Sequence, residues 1–364
     1  MTRPRAAAIL LILAAAAAVL LAVRFGSVSL TTRDVLDALG GGGDPIKRDI
    51  VLGLRLPRAI LGILVGGGLA LAGATFQALL RNPLAEPYIL GISGGAAAAA
   101  GFVIAFGLAA AGSWALPATA FAGALLAILL VFRVAAAADR SLDVRVLLLA
   151  GVVVGAFFSA VIALLFSLSD APTVRSAVLW MMGSLAGADW RAVLIAAAYT
   201  LPASVVLIAL ARPLNLLAIG EETAGYLGTD VERVKRIALG VASLITAAGV
   251  AVAGVIGFVG LIIPHALRIA VGSDHRSLLP LSFLAGAAFL VLADVVARVV
   301  LAPAEIPIGV VTAFAGVPLF LVLLRANKAP SSSSASATPP PPCPSPAPST
   351  SSPPAPRRRV SGNG

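Results

Sequence analysis

Long apolar blocks separated by short polar breaks run along the chain to about residue 325. The first is Ala6–Val23, and others fall near 59–80, 88–107, 114–133, 146–168, 191–211, 236–263, 278–300 and 306–324. A helix crosses a bilayer with about 20 apolar residues, and in hydrocarbon every backbone N–H and C=O must be paired inside the protein. An outer-membrane barrel would show strands of about 10 residues with alternating polarity. These blocks are continuous, which excludes it. The 236–263 block exceeds one simple span and is interrupted by Gly249, Gly254, Gly257 and Gly260, then Pro264. It divides into a full helix and a shorter return helix centred on Gly257–Leu267. The pattern predicts an all-α polytopic membrane protein of about ten spans.

Composition agrees. Of 364 residues, 59% are apolar and 12% charged, against about a quarter charged in a soluble domain. From Lys328 onward the character changes, and eleven of the 25 prolines lie between Pro330 and Pro356 among Ser, Ala and Thr. Such a segment lacks the apolar surface that would offset its ordering entropy. Residues 1–328 are therefore expected to form the membrane domain and 329–364 a disordered tail.

The net charge of +10 would suggest nucleic acid in a soluble protein. In a membrane protein it reflects basic cytoplasmic loops, and no nucleic-acid partner is expected. Arg3 and Arg5 precede a first apolar run of about 18 residues, longer than the 7–15 of a signal-peptide core. An uncleaved first helix with a cytoplasmic N-terminus is expected. With ten spans this orientation places 14 Lys and Arg inside and nine outside, before the three arginines of the tail. The outside set includes Arg24, Arg33, Lys47, Arg48, Arg55 and Arg58, an excess against the usual bias that needs a reason.

Candidate chemistry is sparse. The single cysteine, Cys343, lies in the tail, and His265 and His275 stand alone, so no metal site and no cofactor are expected. None of Lys47, Lys235 and Lys328 completes GxxxxGK[ST], so the chain has no phosphate loop for ATP hydrolysis. No catalytic residue is expected. Glycines at 66–68, 73, 91, 94, 95 and 101 suit close helix packing. Arg81–Pro87 reads as a stiff turn bounded by two prolines. Leu214–Arg236 reads as two short helices broken at Gly220 and Gly228, a handle for a cytoplasmic partner. Asp294 and Arg298, four apart, are expected to pair within one helix near its outer end, where snorkelling limits the cost. His265 is expected at the end of the return helix, and His275 in the Asp274–Arg276 loop.

Several motifs together resemble the FecCD-type permeases of ABC importers, which handle ferric siderophores, haem and cobalamin. They are Arg55-Leu56-Pro57-Arg58, Gly73 with Gln77, Arg81–Pro87, Leu90-Gly91, Gly257–Leu261, Ile263-Pro264-His265, Asp274-His275-Arg276, Leu279-Pro280, Asp294 with Arg298, and Glu305–Gly309 with Thr312. The resemblance covers roughly residues 50–325 in order. It implies the ten-helix type II importer permease of a bacterial inner membrane, with the tail cytoplasmic. The implied partners are a second permease copy, two cytoplasmic ATP-binding subunits, an extracytoplasmic substrate-binding protein and membrane lipid. By resemblance, Gly220, Glu221, Ala224, Leu227 and Gly228 would contact the ATPase, and Arg55, Arg58 and Arg298 would meet acidic residues of the binding protein. The competing class is an ion-coupled secondary transporter, for which Asp294 and Glu305 are the late carboxylate candidates.

Overall fold

The computed structural model describes residues 3–26, 28, 30–108, 114–138 and 143–326, so the predicted tail lies outside the described residues. Among them fifteen α-helices follow in order: α1 Arg3–Arg24, α2 Thr32–Leu39, α3 Pro45–Asp49, α4 Leu56–Leu79, α5 Ile92–Ala105, α6 Ala115–Ala138, α7 Val144–Ser167, α8 Ala171–Met181, α9 Trp190–Ala209, α10 Ala211–Ile219, α11 Glu221–Tyr226, α12 Val231–Ala253, α13 Val259–Val271, α14 His275–Val299 and α15 Ile308–Ala326. Seven helical stretches are long and apolar enough to cross a membrane, and α5, α13 and α15 are shorter apolar helices. Seven and three make the ten expected elements. Met1–Leu323 forms one compact unit; a second, Leu324–Gly364, includes only the end of α15 among described residues.

Acidic residues at the polar breaks start the helices. Asp143, Asp170, Asp189, Asp230 and Asp274 each accept a backbone N–H two or three residues ahead, opening α7, α8, α9, α12 and α14. Thr31 and Asp34 form a reciprocal capping box at α2, and Asp44 with Pro45 opens α3. Each such cap contributes about 1 kcal/mol and decides where a helix begins. These caps account for two departures from expectation. Residues 24–58, to which the sequence pattern assigned no elements, carry α2, α3 and a π-helical turn, Ile50–Arg55, running straight into α4. His275 is the first residue of α14 rather than part of a loop, because Asp274 caps the helix immediately before it.

The long apolar block divides as foreseen, but its second helix starts later and runs further. α12 ends at Ala253, and residues 254–258 are non-helical, with positive φ at Gly254 (70°) and Phe258 (69°). α13 then continues through Pro264, so His265 lies in the helix interior rather than at its end. Proline lacks the N–H that would bond the carbonyl four residues back. That carbonyl, of Gly260, instead accepts the side-chain amide of Gln77 at 3.4 Å, and Leu261 O accepts it at 3.0 Å.

α4 is the central helix, buried almost from end to end, with α9, α12, α13 and α14 packed round it. Its glycines make this possible. A β-carbon on Gly66 would collide with the carbonyl of Gly286 on α14, and one on Gly73 with the carbonyl of Gly260 on α13. Gly67 faces the Phe283 ring, and Gly68 faces Ile245. Away from α4, Gly95 and Gly123 meet backbone to backbone where α5 crosses α6. Lipid gives apolar helices no hydrophobic reason to associate, so close packing must supply the attraction.

Gly73→Val is expected to destabilise the purified protein by about 1–3 kcal/mol or more, because the obstructing group is backbone. Gly240→Ala, on α12 with nothing within 4 Å of the new carbon, should be neutral or slightly stabilising. Thermal unfolding midpoints in one detergent compare the two; equal midpoints would refute the packing account.

Candidate functional site

Three arginines expected to face a partner converge at one end of the bundle, and all are buried. Arg55 closes the π-helical turn, Arg58 lies in the first turn of α4, and Arg298 lies in the last turns of α14; they are 5%, 9% and 6% exposed. Arg58 Nε donates to Asp294 Oδ1 at 2.9 Å, while its Nη1 and Nη2 donate to both carboxylate oxygens of Glu305 at 3.0 and 2.9 Å. Arg298 Nε lies 3.0 Å from Asp294 Oδ2, and its Nη2 donates to Ala22 O of α1 at 3.2 Å. Arg55 Nη1 donates to the carbonyls of Val23 and Arg24 at 2.8 and 2.7 Å, and Nη2 to that of Val28.

The expected Asp294–Arg298 pair is present, but snorkelling does not reduce its cost. Both side chains are almost wholly buried, at 2% and 6% exposure. Their desolvation is offset by the Arg58 fork and the Ala22 carbonyl, a network that the spacing of four could not disclose. Three guanidinium groups against two carboxylates leave the cluster one positive charge in formal terms. It borders a cavity of about 200 Å³ whose lining includes Gly26, Leu54 and Ala186 beside Arg55, Arg58, Arg298 and Glu305. One anionic group is what such a cavity suits.

A second cavity, of about 620 Å³, opens where α8 ends, α15 begins and α12 breaks; Met182, Val255, Gly257, Phe258, Gly309 and Phe314 are among its walls. Backbone bonds tie these parts: Gly309 N donates to Met182 O at 2.9 Å, and Ser184 N to Ala253 O at 2.8 Å. The predicted stiff turn at Arg81–Pro87 is present and leads into a 3-10 turn, Pro87–Leu90. What the sequence reading missed is its reach into the broken helix. Phe258 N donates to Glu86 Oε1 at 2.8 Å, and Tyr88 exchanges hydrogen bonds of 3.2 Å with both the N–H and the C=O of Ile256. Burial pushes the Glu86 carboxyl above its usual range, opposed by the Phe258 N–H. The only sequence signal was a carboxyl and a phenol astride Pro87.

The predicted handle is two short helices, as the glycines suggested. Gly220 (φ 156°) separates α10 from α11, and Gly228 (φ 82°) follows α11. Ala224 is fully buried, so it supports the handle rather than presenting a surface. Ile219, Tyr226 and Leu227 are exposed apolar groups, at 72%, 91% and 62%, and Ile219 and Tyr226 were not singled out by sequence. Glu221 does not point freely outward: Lys235 of α12, 2% exposed, donates to its carboxylate at 2.9 Å. Asn215 donates to Asp274 Oδ1 at 2.7 Å and accepts the His275 N–H at 2.9 Å, fastening α10 to the start of α14. Among the described residues no three His, Cys, Asp or Glu converge to hold a metal ion.

Arg58→Met leaves Glu305 without its partner and the buried Asp294 with Arg298 alone, and should cost about 3–5 kcal/mol. Arg33→Met, removing an exposed pair 3.8 Å long with Asp37, should stay within about 0.5 kcal/mol. Unfolding midpoints of the purified variants would decide, and similar losses would show that the cluster is not a structural anchor.

The model of the FecCD transport family matches residues 11–326, from within α1 to the end of α15. The cobalamin import system permease protein BtuC of Halobacterium salinarum is 46% identical over 284 residues, covering 78% of this chain and 75% of that protein. The hemin transport system permease protein HmuU of Yersinia pestis is 41% identical over 286 residues, covering 78% and 85%. A solved structure of an ABC transporter described as of the metal-chelate type, in an inward-facing conformation, superposes with a TM-score of 0.78 at 35% identity, covering 87% of this chain and 97% of that one. With its broken helix, glycine-lined central helix and two-helix handle all inside the matched region, this chain belongs to the FecCD transport family.

Proposed function

We propose that this chain is the membrane permease subunit of an ATP-driven importer, moving an iron chelate (a ferric siderophore or haem) or cobalamin across a bacterial inner membrane. The observation that carries the reading is the handle. Ile219, Tyr226 and Leu227 present an exposed apolar surface on helices held to α12 by Lys235–Glu221 and to α14 by Asn215. A surface so anchored transmits a push from a partner into two spanning helices. Related permeases named for cobalamin and hemin supply the substrate classes, with the iron chelate as the first choice.

In this reading two cytoplasmic ATP-binding subunits grip the handles of a permease pair around a shared path. ATP favours one arrangement of those subunits, and only that differential affinity moves the equilibrium of the helices. The chain performs no covalent chemistry and needs no cofactor. The break at 254–258, beside the 620 Å³ cavity, is the segment best placed to move, since its bonds to Glu86 and Tyr88 can be exchanged without unwinding a helix. At the opposite end of the reading, the arginine cluster receives an acidic group of an extracytoplasmic binding protein. Its one uncompensated charge and its cavity suit a single carboxylate, and charge complementarity speeds such encounters. The N-terminus and the tail lie in the cytoplasm.

Uptake into vesicles holding this chain with its ATP-binding subunit and binding protein tests the proposal, with labelled ferric siderophore, haem and cobalamin offered separately. ATP-dependent accumulation of one of them is expected; accumulation driven by an ion gradient without the ATPase would favour a secondary transporter instead. Gly228→Pro, imposing a φ near −65° where the chain needs +82°, should abolish co-purification of the ATP-binding subunit while membrane insertion stays normal. Arg55→Gln removes the uncompensated charge while leaving a polar amide in its place. It should weaken binding-protein docking at low salt and flatten its salt dependence; unchanged salt dependence would count against Arg55.

A further inference from the structure

The excess of basic residues between Arg24 and Arg58 separates into two kinds. Arg55 and Arg58 belong to the buried cluster. Of the rest, Lys47 pairs with Asp34 at 2.8 Å, Arg33 lies 3.8 Å from Asp37, and Arg48 donates to Gly41 O at 3.3 Å. Arg24 is different. It ends the spanning helix α1 with no ion pair or hydrogen bond to another side chain among the described residues, and its guanidinium carbon lies 5.2 Å from the centre of the Phe25 ring. Phe25 is 42% exposed.

Beside Arg24 lies a groove of about 330 Å³ between α1 and α2, walled by Ala17, Leu20, Leu21, Arg24, Thr32 and Val35. Its volume is that of a small-molecule site, about 300–1,000 Å³. Leu20 and Leu21 lie one turn before the end of a helix whose surface is largely exposed, and they are 66% and 40% exposed. The other wall, α2, buries Val35 and Ala38 and exposes Leu36 and Leu39 beside Arg33 and Asp37. A short helix with apolar groups exposed next to charged ones suits the boundary between acyl chains and headgroups. The groove thus runs from the apolar side chains of α1 to a cation that pairs with no other side chain among the described residues.

We infer that the α1–α2 groove binds one anionic phospholipid, its acyl chain along Leu20, Leu21 and Val35 and its phosphate at Arg24 and Thr32. Two features of the groove commit it to this occupant. A soluble anion would make no use of the apolar floor, and of two lipids with the same phosphate the one without a choline cation keeps its net negative charge beside Arg24. The site fastens α1 and α2, and through Ala22 and Val23 the arginine cluster, to the bilayer surface. It requires only that α1 spans a membrane and is independent of what the protein transports.

The test uses the full-length chain, delipidated in detergent and titrated with phosphatidylglycerol or phosphatidylcholine of equal chain length, bound lipid being counted by native mass spectrometry. Phosphatidylglycerol is expected to bind about fivefold more tightly, the contribution of one basic residue near a membrane surface. Arg24→Gln should bring the two lipids to equal affinity, and Leu20→Trp, which fills the groove, should weaken both. Arg5→Gln, at the other end of α1, should change neither. Both groove variants alter exposed positions, so thermal midpoints without lipid should match the parent protein. Equal affinities in the parent chain, or a preference surviving Arg24→Gln, would overturn the proposal. So would competition by glycerol phosphate alone, which would make the site one for free phosphate, or a change of oligomeric state by Leu20→Trp without loss of lipid, which would make the groove a contact between copies.

Discussion

Everything in this fold depends on how closely other helices approach α4. Apolar helices in lipid gain nothing by burying apolar surface against each other, so contact distance replaces the hydrophobic effect as the source of stability. Glycine at 66 and 73 lets two carbonyl groups of neighbouring helices touch the α4 backbone. The second of these carbonyls, Gly260 O, is the one that Pro264 leaves without its helical donor, and Gln77 of α4 supplies a replacement. One glycine, one glutamine and one proline, far apart in sequence, thus solve a single problem. The α13 helix can run through Pro264 because α4 supplies a donor to the carbonyl that the proline leaves free.

A second constraint acts at the α4 end bearing Arg55 and Arg58. Charges on spanning helices are costly, and at this end of α4 five charged side chains are gathered into one network. Arg58 satisfies Asp294 of α14 and Glu305 of the α14–α15 connection at once, while Arg298 and Arg55 bind carbonyls at the end of α1 and just beyond. The network therefore fixes α1, α4, α14 and the approach to α15 relative to each other. Because the arginines outnumber the carboxylates by one, the same arrangement that stabilises the bundle leaves a charge at a cavity.

Much of this was legible in the chain. Length and continuity of the apolar blocks gave the helical class and the ten elements. The glycines at 220 and 228 marked a two-helix handle because they supply positive φ where a chain must reverse, and the four-residue spacing gave the Asp294–Arg298 pair. The ordering of α2 and α3 was not seen, although Thr31 with Asp34 and Asp44 with Pro45 are capping signals that could have revealed them. His265 was expected at the end of the return helix, whereas α13 runs on past it to Val271, because nothing local shows that Gln77 will receive the carbonyl that Pro264 frees.

The sequence by itself determined what depends on neighbours along the chain: which segments are apolar enough to span, where caps and glycines begin and end helices, and the family to which the motifs belong. Only the tertiary structure decided what depends on neighbours in space. It turned three arginines expected on a surface into a buried network, joined Glu86 and Tyr88 to a helix break some 170 residues away, and tied Glu221 to the buried Lys235. It also left Arg24 at the mouth of a groove. The physical reason is the reach of the forces involved. Helix formation and capping act over a few residues, whereas the cost of a buried charge or an unpaired carbonyl is met by whichever element the fold brings within about 3 Å.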